Sequence, residues 1–233
     1  MNLNKFYFLS KAPRGAFSFC NFFKSLYSRG DFKNKYFVMN KRINTALISV
    51  FDKSGLEPIL AILTKLQVTI YSTGGTKEYI EKLGYVVTSV EEVTGYPSIL
   101  GGRVKTLHPK LFGGILANRK EESHRKDIEK YDIPLIDLVI VDLYPFEKTV
   151  ASGATDEEVI EKIDIGGPSM IRGAAKNHAN IVVVGDKDDY ALLGHILQSQ
   201  NGETSLLQRR SFAQKAFQTT AHYERQIEAY FNR

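Results

Sequence analysis

From residue 45 onward, short apolar runs alternate with stretches whose apolar residues recur at helical spacing. Residues 45–51 read as a buried strand, and Leu56, Ile59, Leu60, Leu63 and Leu66 follow at the three- and four-residue spacing of an amphipathic helix. Ser54, with Glu57 three residues on, has the form of a capping box at the start of that helix. Residues 68–71 make a second strand, and Thr73-Gly74-Gly75-Thr76 turns into a helix ending near Gly84. Strands are expected at 85–90, 112–117, 137–143 and 181–184, and helices at 121–131, 168–177 (opened by Pro168), 188–198 and 205–230. A second capping box, Thr155 with Glu158, opens one more helix that runs to Ile163. On the last helix Ala213, Ala216, Phe217, Thr220, Tyr223, Ile227 and Tyr230 share one broad face. Between these elements, residues 94–110 are rich in Gly, Pro and polar side chains and read as a long functional loop.

Strands alternating with helices define an α/β class, with a mainly parallel sheet flanked by helices on both faces. In such sheets ligands bind outside the carboxyl ends of the strands. The polar loops after Phe51, Tyr71 and Leu143 fall there. The chain shows no internal repeat. It divides into a leader at 1–38, an α/β domain at 39–200 and a closing helical segment at 201–233.

The leader changes the reading of charge. Of 31 Lys and Arg against 26 Asp and Glu in the chain, residues 1–38 hold seven basic side chains and one acid. The remainder is close to neutral, so the basic isoelectric point belongs to the leader and does not argue for nucleic-acid binding. Eleven Phe and Tyr residues lie in the leader without helical or strand periodicity. It is basic and acid-poor like a mitochondrial transit peptide, whereas Asn21 breaks the apolar core a secretory signal needs. The reading preferred is translated upstream sequence, with Met39 as the natural start of a cytoplasmic protein. A single cysteine, Cys20, excludes an internal disulfide framework and a cysteine-based zinc site. The five histidines lack metal-binding spacing, so no metal is expected. No run approaches the roughly 18 apolar residues of a membrane span.

Several segments carry candidate chemistry. Thr73-Gly74-Gly75-Thr76 sits between a strand and a helix, where free N–H groups, the helix dipole and two hydroxyls suit an anion; an ordinary strand–helix turn would look the same. Asp52-Lys53-Ser54-Gly55 is a second such turn, with a cation in it, and two turns from neighbouring strands can grip one phosphate. Arg103-Val104-Lys105-Thr106 follows two glycines, which permit close approach to a ligand. Asp164 lies between two helices, Lys176 ends the second, and Tyr144 ends a buried strand. Taken singly these fit a surface pair and a packing tyrosine equally well.

Their order is more specific. Asp52-Lys53-Ser54-Gly55, Ser72-Thr73-Gly74-Gly75-Thr76, Thr94-Gly95-Tyr96-Pro97, the run Gly101-Gly102-Arg103-Val104-Lys105-Thr106-Leu107-His108-Pro109, Leu143-Tyr144-Pro145-Phe146, Asp164-Ile165-Gly166-Gly167 and Ala174-Ala175-Lys176-Asn177-His178 occur in the order found in IMP cyclohydrolases. Lys215-Ala216-Phe217 and Ala221-His222-Tyr223 match the helix that follows. The chain resembles that family over about residues 44–231. The resemblance implies a methylglyoxal-synthase-like fold. It also implies the front half of a bifunctional purine biosynthesis protein, whose back half transfers a formyl group to AICAR and has no counterpart here.

The implied substrate is FAICAR, closed to IMP with loss of water, with no cofactor required. By resemblance Lys105, Tyr144, Asp164 and Lys176 match the catalytic positions. Asp164 and Lys176 would manage the carboxamide protons and the leaving water, and Lys105 and Tyr144 would polarise the reacting oxygen. Lys53, Thr73, Gly74, Gly75 and Thr76 would hold the 5′-phosphate, and Asp52 falls among the substrate-binding positions. Arg103, Val104, Thr106, Asp142, Ile165 and Gly166 would surround the base. A small-molecule nucleotide is the implied partner, and a homodimer is compatible with the resemblance. Four positions depart from the family's usual pattern: Phe51 where Ser is common, Asp142 where Asn is common, Phe112 for a frequent His and Gly173 for Ala. Methylglyoxal synthase, a lyase of similar fold, is a competing reading that the 101–109 loop and the Tyr144 and Lys176 segments oppose. A regulatory nucleotide-binding module is another, which would leave the four catalytic positions superfluous.

Overall fold

A computed structural model describes residues 40–232; the expectations for the leader and for Met39 lie outside the described residues. Strand β1 (Lys41–Arg42) leads into β2 (Thr45–Ser49), α1 (Leu56–Lys65), β3 (Thr69–Ser72), α2 (Gly74–Lys82), β4 (Thr88–Ser89) and α3 (Val90–Thr94). A 3-10 turn at Leu100–Gly102 precedes α4 (Pro109–Leu116) and α5 (Glu122–Lys130). Then come β5 (Leu138–Val141), α6 (Phe146–Ala151), α7 (Asp156–Glu161), α8 (Gly166–Lys176) and β6 (Val182–Val184). The chain continues with α9 (Tyr190–Ser199), β7 (Glu203–Thr204) and α10 (Leu206–Phe231).

The main sheet has the order β4-β3-β2-β5-β6, and all its neighbours are parallel. Strands β2, β5 and β6 are apolar on both faces because helices cover both. Side chains alternate along a strand, so Ala46, Ile48, Leu138, Ile140, Val182 and Val184 join the core beneath α1 and α9. Leu47, Val139, Val141 and Val183 point the other way, into the core shared with α4, α8 and α10. The α/β class read from the sequence is the class observed. The segment 201–233 is built into this body: β7 pairs antiparallel with β1, and Phe212, Ala213 and Ala216 of α10 lie in the two cores.

Four local expectations are corrected. Residues 112–117 are helix, not strand. Pro109 stands at the first helical position, His108 Nδ1 accepts the Lys110 N–H at 3.2 Å, and Leu111 and Ile115 bury one face four residues apart. Gly114 lets α4 press against the backbone, since a Cβ there would meet the Pro134 carbonyl oxygen at 2.1 Å. Ser54 does not cap α1: left-handed Gly55 takes the cap position with no side-chain bond, and the Ser54 hydroxyl instead accepts from Lys187 Nζ at 3.1 Å. The strand expected at 85–90 contracts to β4, because Ser89 turns to cap α3. Helix α8 starts at Gly166, two residues before Pro168. Helix α6 had no counterpart in the sequence reading, while the Thr155–Glu158 capping box forms as expected.

After β4 the chain crosses to the far side of β2 to lay down β5. The strand order therefore reverses beside β2, the position where ligand crevices form in open parallel sheets.

Candidate active site

A cleft of about 750 Å³ opens over the carboxyl ends of β2 and β5 and the turn after β3. One wall is the glycine turn that starts α2. Gly74 has a φ of 36°, a conformation suited to glycine, and the first N–H groups of α2 have no partner within the helix. Two ammonium groups approach this turn from different loops. A Cβ built on Gly74 would lie 3.2 Å from Lys105 Nζ, and one on Gly75 would lie 4.0 Å from Lys53 Nζ. Helix N-terminus and two cations together make an anion site.

The two threonines of the turn have different duties. The Thr73 hydroxyl shares a 2.7 Å hydrogen bond with that of Ser49 at the end of β2. The Thr76 hydroxyl accepts the Val50 N–H at 3.0 Å and donates to the Val50 carbonyl at 2.9 Å, so it fastens α2 to β2. The expected role of Thr76 as a donor to phosphate is corrected accordingly: the side chain is buried and its proton is engaged. Thr76 still lines the cleft, whereas Asp52 does not. It accepts from Lys187 Nζ at 2.6 Å and from the Ser54 N–H at 2.9 Å, and the Lys187 ammonium holds its carboxyl well below the usual carboxylate range.

The opposite wall is the start of α8. Asp164 Oδ1 accepts the Gly167 N–H at 2.8 Å, and the Asp164 N–H donates to the Tyr223 hydroxyl at 2.8 Å. Burial pushes the Asp164 carboxyl above its ordinary value, against the opposing pull of the Gly167 and Gly166 N–H groups and of Lys105. Both glycines sit in close approach to side chains of the site: a Cβ on Gly166 would come 2.8 Å from Thr106 Oγ1, and one on Gly167 2.3 Å from Asp164 Oδ2, so either would displace a cleft side chain. Ile165 stands exposed at the mouth. Tyr144 also lines the cleft, with Phe51 edge-on at 4.6 Å between centroids and Lys162 Nζ 5.0 Å from its ring centre.

Lys105, Tyr144 and Asp164 thus line one cleft, with Lys53, Thr73, Gly75, Arg103, Thr106, Asp142 and Gly166 around them. Val104 lies outside the lining and bridges to Ile99 through the backbone. Lys176 is the exception among the four. It is exposed at the carboxyl end of α8, and a helix of 11 residues separates it from Asp164, roughly 16 Å at the usual rise. The expectation that it shares the proton chemistry with Asp164 finds no support within one chain: it does not line the cleft.

Three contributors were not among the expected site residues. Ser49 pairs with Thr73, Glu161 forms an ion pair with Arg103, and the Tyr223 hydroxyl fixes Asp164. The Arg103–Glu161 and Asp164–Tyr223 contacts span 58 and 59 residues, a separation over which local patterning carries no signal.

Comparison with known proteins follows the same division. Residues 55–169, which hold most of the cleft, match the MGS-like domain family, and residues 174–233 match the AICARFT/IMPCHase bienzyme family. The solved structure of ForH superposes with a TM-score of 0.72 at 34% identity, covering 81% of this chain and 96% of that one. The chain belongs to the AICARFT/IMPCHase bienzyme family. The bifunctional purine biosynthesis protein PurH of Bacteroides thetaiotaomicron is 54% identical over 193 residues, and that of Leptospira biflexa 49% over 193 residues. These alignments cover 83% and 82% of the chain but 38% of each relative. The bienzyme match begins inside α8 and runs through α10, so the helix that holds Asp164 through Tyr223 is part of the family's structure. Among the described residues no three His, Cys, Asp or Glu side chains are grouped as metal ligands, and no helix is long and apolar enough to cross a membrane.

Proposed function

We propose that this chain is an IMP cyclohydrolase, closing FAICAR to IMP and water. The observation that carries the reading is the convergence of Lys105, Tyr144 and Asp164 in one cleft with a two-lysine phosphate turn. The phosphate would bind at the Thr73–Gly75 turn beneath Lys53 and Lys105. The ring would extend toward Asp164, between Thr106 and the exposed Ile165.

Ring closure forms a bond from the carboxamide nitrogen to the formyl carbon and releases the formyl oxygen as water. The carboxamide nitrogen loses one proton and the formamido nitrogen, which ends double-bonded to the former formyl carbon, loses the other; the oxygen gains both before it leaves. Asp164 is the group suited to take the N–H proton, since its raised carboxyl accepts a proton more readily than an exposed aspartate. Lys105 and Tyr144 are donors that can polarise the formyl oxygen and stabilise the charge that develops on it. Holding the two substituents against each other supplies a large further share of the acceleration, and the rigid walls at Gly166 and Thr76 suit that duty. The chain spans 38% of the length of its bifunctional relatives, and the cleft within it suits the cyclohydrolase reaction. A free nucleotide intermediate as substrate fits a cytoplasmic enzyme with no nucleic-acid partner.

Incubation of the chain with FAICAR in EDTA should yield IMP, and incubation with dihydroxyacetone phosphate should yield no methylglyoxal. Methylglyoxal formation without IMP would replace this reading with the lyase.

A further inference from the structure

Asp142 follows β5 directly, beside the end of β2. Its two carboxylate oxygens are both engaged by the loop leaving β2: Oδ1 accepts the Phe51 N–H, and Oδ2 accepts the Asp52 N–H at 2.8 Å. The loop so held carries Phe51, edge-on against Tyr144, and Lys53, whose ammonium is beside the glycine turn and donates to the Phe51 carbonyl at 3.0 Å. From the other side the same loop is tied by Lys187, which bonds Asp52 and Ser54.

We propose that Asp142 is a positioning residue that sets the Phe51–Lys53 loop, and with it the phosphate-binding ammonium, and does not contact the purine base. An ionised carboxylate offers acceptors on both oxygens and can satisfy two adjacent N–H groups at once. An asparagine offers one acceptor oxygen, and its NH₂ would face the second N–H donor to donor. The arrangement is therefore particular to an aspartate here. The Asp142 contact at 51 is to the backbone N–H, so it does not depend on the Phe51 side chain.

The proposal rests on the nucleotide-binding reading, and two ligands separate its failure from that of the reading. Ribose 5-phosphate carries the phosphate without a base, and IMP carries both. Affinities for each are measured by calorimetry on the full chain and on Asp142→Asn, with melting temperature and FAICAR kinetics alongside. A mispaired N–H in the phosphate loop should weaken both ligands by a similar factor, about tenfold. KM should rise while kcat stays within about twofold. A loss confined to IMP, or no loss for either ligand, overturns the proposal. If the unmodified chain binds ribose 5-phosphate but not IMP, the cyclohydrolase reading fails while the comparison on ribose 5-phosphate still decides the role of Asp142. Binding of neither contradicts both. Asp142→Ser, which leaves room for water beside the two N–H groups, replaces the Asn variant if that one does not fold, with the same comparison and the same deciding outcomes.

Discussion

Asp164 accepts a helix N–H at 2.8 Å and also lines the cleft, so structure and chemistry meet on one side chain. Asp164→Asn keeps an oxygen for the Gly167 N–H and removes the proton acceptor. It should lower kcat by about 10²–10⁴-fold while leaving IMP binding largely intact. Burial raises the carboxyl, and the ionised form is the one that takes the proton. Turnover should therefore fall as pH drops through a value above the ordinary carboxylate range, and this acid limb should be absent in Asp164→Asn. Asp142 and Asp189 are also raised by burial, so the variant is what assigns the limb. Lys53→Met should behave otherwise: a phosphate contact acts alike on ground and transition states, so KM should rise with kcat nearly unchanged. A fall in kcat for Lys53→Met at constant KM would move Lys53 into the chemistry. Glycines and lysines at these turns were legible in the sequence because anion binding demands those residue types at strand–helix junctions. The engagement of Thr76 with Val50 was not, because a hydroxyl in a motif looks the same whether it faces a ligand or a neighbouring strand.

Helix α10 shows how a distant element enters the site. Its Tyr223 packs with Phe146 and Val159 and receives the Asp164 N–H, so the helix holds the loop between α7 and α8 in place. Tyr223→Phe keeps the ring and removes the acceptor. It should cost about 1–2 kcal/mol of stability, seen as a melting temperature lower by several degrees, and should reduce kcat about tenfold by loosening Asp164. Unchanged kcat would mean that the α8 start alone fixes Asp164. The amphipathic spacing on α1 and α10 and the apolar runs of β2 and β5 made these elements readable. Helix α4 was misread because a short apolar run with two glycines fits either period, and the deciding contacts come from Ile133, Pro134 and Ile136, about twenty residues away.

Across the whole molecule, alternation implied a parallel sheet but not its strand order, and the cleft falls where that order reverses. What alternation could not show is distance along a helix, which puts Lys176 away from the cleft of its own chain. The catalytic duty that the resemblance implies for Lys176 then requires a second copy of the chain. Mixing inactive Lys176→Met and Asp164→Asn chains tests this: in a homodimer with Lys176 acting across the interface, random pairing restores about a quarter of the native activity. No recovery would remove Lys176 from the chemistry of a neighbouring cleft. Whether this cleft closes the purine ring is decided by the rate of IMP formation from FAICAR by the intact chain in EDTA without folate, run beside Asp164→Asn. The native chain should cyclise FAICAR, and the variant should lose nearly all of that rate. Equal rates in the two would contradict this role of the cleft, as would failure of the native chain to form IMP while it binds the nucleotide.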